Sequence, residues 1–266
     1  TISNTKEIRN DDINNWSLIS VRGNSDLTIT GNGAIDALEN DSYAIDLYDA
    51  ASKCTIENGA FTGNISAVYV FDGSLTINGG TFDIKQLSSQ GDRRFTINCY
   101  DSNYKNGTAQ VSINGGTFNG FDPANNLAEG TGTTFTAPGY ASVANADGTY
   151  GVAVGKFTVQ VTSRTTTSDS PVANVSGGGS DITYAEGTTV TASAISGYKF
   201  VGWFVNEYAG TPYSTDLTCT VKPADNCTMI AVYEPVSGGK FWLSVTASEF
   251  TVNGGAVQDS YLYEQY

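Results

Sequence analysis

Side chains able to do chemistry here are carboxylates, a few arginines and lysines, tyrosines and four cysteines; the 266 residues include no histidine. Without an imidazole, Ser-His-Asp and Cys-His nucleophile systems are closed. Cys54, Cys99, Cys219 and Cys227 form no CxxC pair, so no zinc site is spelled out. Gly31-Asn32-Gly33 and Gly79-Gly80 precede no helical pattern and read as corner glycines, not phosphate cradles. Polysaccharide cleavage is the remaining enzymatic chemistry. A glycosidase needs two carboxylates on one face, and Asp36, Asp46, Asp49 and Asp101 qualify by type alone. Asp92-Arg93-Arg94 has the basic character of a lyase cluster. The plainer reading of all of these is solvated loop charge, so no catalytic residue, metal ligand or cofactor is assigned. Asp147-Gly148 suggests a calcium loop, but Val143 stands where an EF-hand-type loop needs an oxygen, and the pair reads as a turn.

Binding has two candidates. Tyr208 and Tyr213 flank Gly210-Thr211-Pro212 and offer rings for a sugar or a partner side chain. Cys219 and Cys227 flank Lys222-Pro223-Ala224-Asp225-Asn226 almost symmetrically, which suits a disulfide across a hairpin and a small closed loop. Cys54 and Cys99 fall in phase with inward apolar residues and read as buried thiols.

The elements that must position these groups are strands. Charged residues are 15% of the chain, hydrophobic residues 39%, and polarity comes from Asn, Ser, Thr and 30 glycines, a mixture that suits short strands and tight turns. The formal net charge of −14 repels nucleic acid. No apolar run is long enough to span a bilayer. The chain begins with Thr1 and is expected to be a mature or excised piece of something longer.

One pattern recurs four times: Leu27-Thr28-Ile29-Thr30-Gly31-Asn32-Gly33-Ala34-Ile35, Cys54-Thr55-Ile56-Glu57-Asn58-Gly59-Ala60-Phe61, Leu75-Thr76-Ile77-Asn78-Gly79-Gly80-Thr81-Phe82 and Val111-Ser112-Ile113-Asn114-Gly115-Gly116-Thr117-Phe118. Each copy alternates apolar and polar residues, then turns at glycine. Further alternating stretches, Ala44 to Leu47, Ala67 to Phe71 and Phe95 to Cys99, lie between copies. The starts are 27, 21 and 36 residues apart (54−27, 75−54, 111−75), too irregular for a propeller and suited to stacked coils with loops of unequal length. A hairpin meander is the other arrangement such strands permit.

These Leu-Thr-Ile-Asn-Gly-Gly-Thr-Phe units resemble the right-handed parallel β-helix proteins of bacterial surfaces and phage particles, over residues 16 to 121. That resemblance is informative on architecture and nearly silent on function. Tyr140 to Val143, the turn at Asn145-Ala146-Asp147-Gly148 and Tyr150 to Val154 predict a hairpin capping the last coil.

From Gly155 the pattern changes. Glu186-Gly187-Thr188-Thr189-Val190, Gly197-Tyr198-Lys199-Phe200-Val201-Gly202-Trp203 and Ile230-Ala231-Val232-Tyr233-Glu234 resemble the Listeria–Bacteroides, or internalin B-repeat, family over residues 157 to 235. The resemblance implies a small grasp-like β module, tandem on bacterial surfaces, without catalysis. Tyr198, Phe200 and Trp203 are expected in its core. Gly155-Lys156-Phe157 recurs as Gly239-Lys240-Phe241, 84 residues on (239−155), so either a second, truncated repeat starts there or a terminal strand is used differently.

The expectation is an all-β chain: a short right-handed parallel β-helix with a hairpin cap (1–154), a grasp-like repeat module (155–236) and a repeat start or terminal strand (237–266). It is expected to be a non-enzymatic, extracellular adhesion or stalk segment of a bacterial cell-surface protein. Its expected partner is a host or mucosal glycan or surface protein, with homo-oligomerisation open and neither nucleic-acid binding nor membrane insertion. The alternatives are a phage virion component (head fibre, decoration or tail part) and a polysaccharide lyase or depolymerase.

Overall fold

The computed structural model describes residues 2–4, 17–37, 41–88, 91, 93–236, 241–243, 251–252, 255–256 and 261–263. The chain is all-β; one five-residue helix, Asp101–Lys105, occurs among the described residues. It divides into two compact units, Thr1–Lys156 and Phe157–Tyr266.

Among the described residues of the first unit the chain completes a fixed cycle of three sheets four times, with Ile2–Asn4 paired in parallel to Ala34–Ala37 ahead of it. The first round is Ser17–Val21, Asp26–Ile29 and Ala34–Ala37. Tyr43–Leu47, Lys53–Ile56 and Ala60–Gly63 follow, then Ser66–Val70, Gly73–Ile77 and Thr81–Ile84, and last Ile97–Cys99, Ala109–Ile113 and Thr117–Asn119. Each strand pairs in parallel with its counterpart one round away, which excludes a hairpin meander.

The repeat places like residues above like. Leu27, Cys54, Leu75 and Val111 share one register column, and Ile29, Ile56, Ile77 and Ile113 another. A third column runs Ile35, Phe61, Phe82 and Phe118. Its rings stack at 5.2 Å (Phe61–Phe82) and 4.9 Å (Phe82–Phe118), near the spacing of about 4.8 Å between paired strands. Polar residues line up at one corner: Asn78 Nδ2 donates to Glu57 Oε1 (3.0 Å), and Asn114 Nδ2 donates to Asn78 Oδ1 (2.9 Å). The second corner glycine has a positive φ in the later copies, at Gly59 (126°), Gly80 (102°) and Gly116 (102°). In the first copy the positive φ falls at Gly31 (91°), two residues earlier than the alignment with Gly59 implies.

The last round ends on three different devices. Thr117–Asn119 pairs antiparallel with Thr149–Val154, which pairs with Tyr140–Ala144, the hairpin read from the Asp-Gly turn. Phe135–Ala137 takes the edge of Ala109–Ile113: the Ile113 N–H donates to Phe135 O (2.8 Å) and the Ala137 N–H to Ile113 O (2.9 Å). Glu129 Oε1 accepts the Cys99 N–H at 2.9 Å.

In the second unit, Phe157–Thr165 lies parallel to Cys227–Pro235, flanked by antiparallel Gly179–Ile182 on one side and Tyr198–Val205 beyond the other. A second sheet joins Val175–Gly177, Thr188–Ala192 and Thr218–Val221. Trp203, Met229, Ala231 and Tyr233 are fully buried in the core, with Tyr198 and Phe200 packed against it half-buried. A bulge between Phe200 and Gly202 interrupts the alternation there. Gly239 and Lys240 lie outside the described residues; Phe241–Leu243 pairs antiparallel with Tyr261–Tyr263.

Candidate functional site

A cleft of about 470 Å³ opens beside the final round of the first unit. It is lined by Arg93 and Arg94, by Asp122, Asn125 and Tyr150, and by Leu127 at its rim. Arg94 follows the bridge between Ser88 and Arg93, and its Nη1 is fixed by Asp83 Oδ1 at 3.0 Å and the Asn119 carbonyl at 3.2 Å. Room for that side chain comes from Gly120, where an added Cβ would stand 3.0 Å from Arg94 Cδ and Nε. Asp122 Oδ1 accepts the Ser142 hydroxyl and the Ala124 N–H (2.9 Å), joining the cleft wall to the cap hairpin. The Asp92 of the sequence cluster lies outside the described residues.

Three of the four candidate carboxylates have a partner within the scaffold, and Asp46 and Asp49 reach the neighbouring residues Arg22 and Gly23. Asp36 pairs with Lys85 at 3.3 Å on the sheet that carries Phe82. Asp46 is buried in another sheet, 3.9 Å from Arg22. Asp49 Oδ2 accepts the Gly23 N–H at a corner, and Asp101 opens the short helix. Asp147 makes a turn: its Oδ1 accepts the Thr149 hydroxyl (2.7 Å) and N–H (3.0 Å), and the hydroxyl chiefly holds its carboxyl below the usual range.

Tyr208 and Tyr213, in the second unit, have separate surroundings. The Tyr208 ring stands edge-on to Phe204 at 4.8 Å, with the Arg164 guanidinium 5.5 Å from its centroid. The Tyr213 hydroxyl donates to Thr220 O (3.2 Å) and accepts the Lys222 N–H (3.4 Å). Both rings remain more than a third exposed.

The expected Cys219–Cys227 disulfide needs correcting. Both thiols are free. The segments flanking the 222–226 turn do not pair with each other. Cys219 stands opposite Val190 in the three-stranded sheet, and Cys227 beside Val159 in the four-stranded one. The near-symmetric spacing marks a crossing between sheets rather than a hairpin.

Sequence reasoning missed an aromatic row at the surface. Tyr48, Phe71 and Tyr100 each follow immediately after a strand of the sheet that begins with Ser17–Val21, and their backbone N–H groups extend the same ladder. Their rings stack at 4.7 and 4.8 Å. The signal was an aromatic residue after Leu47, Val70 and Cys99, visible once the intervening stretches are aligned as well as the glycine corners.

No protein-family model matches the chain, and neither does any curated protein or solved structure. No helix among the described residues is long and apolar enough to cross a membrane.

Proposed function

We propose that the first unit is a short right-handed parallel β-helix closed by its hairpin cap, and that residues 157–235 form a grasp-like module of the internalin B-repeat kind. On this reading the chain is a non-catalytic adhesion or stalk segment of a bacterial surface protein, displayed outside the cell and engaging glycan or protein.

The observation that carries the reading is the in-register stack of four rounds. Ionisable side chains are used within it to tie rounds to one another: Asp36 reaches Lys85, Asp83 reaches Arg94, and Glu57 accepts from Asn78. A scaffold built by repetition sets distance and presents a regular flank, which is what a stalk or adhesive segment requires. Low charge density and abundant Asn, Ser and Thr suit a surface exposed to the medium.

A glycan-array screen of the full chain, with product analysis of every glycan retained, tests this. Retention without new reducing ends or unsaturated products is expected. Depolymerisation of any bound glycan would replace the adhesive reading with the lyase one.

A further inference from the structure

We propose that the cleft beside Arg93 and Arg94 binds the carboxylate of an acidic sugar, so that the adhesive ligand is a uronate-type glycan. The inference rests on the adhesive reading above and names its ligand class.

Three observations converge there. First, the two guanidiniums differ in commitment. Arg94 is held by Asp83 and the Asn119 carbonyl. Arg93 is exposed, and among the described residues its only bond is through the backbone, where the Ser88 N–H donates to its carbonyl at 2.9 Å. A guanidinium without an internal carboxylate keeps its planar fork available for a ligand carboxylate.

Second, the cleft is shaped for a ring and not only for a charge. Leu87 and Leu127, 40% and 41% exposed, stand on its lining, and Tyr150 contributes a half-buried ring. Apolar side chains against polar ones match the two characters of a pyranose, its C–H face and its hydroxyls. Asn125 is exposed beside them as a hydroxyl partner. The volume of about 470 Å³ falls within the range of about 300–1,000 Å³ usual for small-ligand sites.

Third, the site is built. Gly120 (φ 56°) leaves the space that Arg94 fills, and Asp122 is fixed by Ser142 and Ala124. Asp83 takes up the charge of Arg94, which leaves Arg93 as the guanidinium that a ligand carboxylate meets in the cleft.

Titration calorimetry of the full chain with an oligoglucuronate and with its carboxyl-reduced counterpart tests the proposal. The acidic form is expected to bind at least tenfold more tightly. Arg93→Ala should lower affinity for it at least tenfold with no change in Tm, because the side chain makes no bond among the described residues. Arg93→Lys should recover part of the loss. Equal affinity for the reduced counterpart, indifference to Arg93→Ala, or no binding of the uronate would each overturn the proposal. Binding of neutral glycans alone overturns it while leaving the adhesive reading in place; cleavage of the oligomer overturns the adhesive reading itself.

Discussion

Glu129 closes the sheet that ends at Cys99 with a single bond: its Oε1 accepts the Cys99 N–H at 2.9 Å, while its Oε2 is buried without a hydrogen-bond partner. Burial raises its carboxyl above the ordinary value, with Asp101's charge adding to the rise and the Cys99 N–H opposing it. A raised acid binds its proton more readily in the folded state. Its contribution is therefore complete below the unfolded value, about 4.3, and is lost as pH rises through the higher folded value. Glu129→Gln keeps the acceptor for Cys99 and removes the charge. Its Tm relative to wild type should rise as pH goes from about 4 to 7, followed by thermal melts across that range. Glu129→Ala loses the acceptor and should cost about 1–3 kcal/mol. A constant Tm difference between Glu129→Gln and wild type would show that the carboxylate is relieved by solvent.

Corner glycines separate by what surrounds them. Gly80 has a φ of 102°, and an added Cβ would stand 2.8 Å from the Gly59 carbonyl. Gly33, its counterpart in the first copy, has nothing within 4 Å of that position and no positive φ. Gly80→Ala should therefore cost about 1–3 kcal/mol or more, because the round below blocks relief of the strain. Gly33→Ala should be neutral or stabilising by about 0.4–1 kcal/mol through the unfolded chain. Urea midpoints of the two variants decide it, and equal losses would mean that the corners are not stacked.

Much of the first unit was legible in the sequence because its period-2 alternation and glycine corners are local signals that repetition multiplies. Leu27, Cys54, Leu75 and Val111 align in sequence and align in register. The cap hairpin was legible for a similar reason, since Asp147-Gly148 specifies its own turn. Long-range chemistry was not. Glu129 lies 30 residues from Cys99 in the chain, and nothing in its neighbours marks it as an edge closure. The Cys219–Cys227 expectation failed on the same ground. A turn fixes where the chain bends, but the sheet each flanking strand joins is decided by partners far away, Thr188–Ala192 and Phe157–Thr165. Arg93 and Arg94 were visible as a pair. Their cleft was not, because Gly120, Asp122 and Tyr150 reach it only after the cap folds back.

The cysteines give a chemical check on that correction. Burial pushes the Cys54 thiol up to about 12, with Asp26's charge adding, and raises Cys99 further. Cys219 and Cys227 are raised too, again mainly by burial, but both are only half-buried. Alkylation of the native protein at pH 8 should label Cys219 and Cys227 first and leave Cys54 and Cys99 intact. Denatured without reductant, the chain should take up four labels by intact mass. Two labels under those conditions, rising to four after reduction, would restore the disulfide.

Aromatic stacking occurs inside and outside the first unit, and the two stacks should differ in worth. Phe82 is 1% exposed between Phe61 and Phe118, so Phe82→Ala leaves a cavity that neighbouring rounds cannot close, at a cost of about 3–5 kcal/mol. Phe71 lies between Tyr48 and Tyr100, which are 42% and 44% exposed, and Arg22 Cζ covers the far side of Tyr48 at 4.2 Å. Water fills the space left by Phe71→Ala, so only ring contacts and partial burial are lost, about 1–2 kcal/mol. The rings face one another, so the row presents edges to a ligand and its stacking faces are spent on the fold. A double-mutant cycle of Tyr48→Ala and Phe71→Ala, read by urea denaturation, should give a coupling of about 0.5–1.5 kcal/mol. A coupling near zero would mean that the rings are aligned by the backbone register without attracting one another. A Phe71→Ala loss as large as that of Phe82→Ala would place the row in the core.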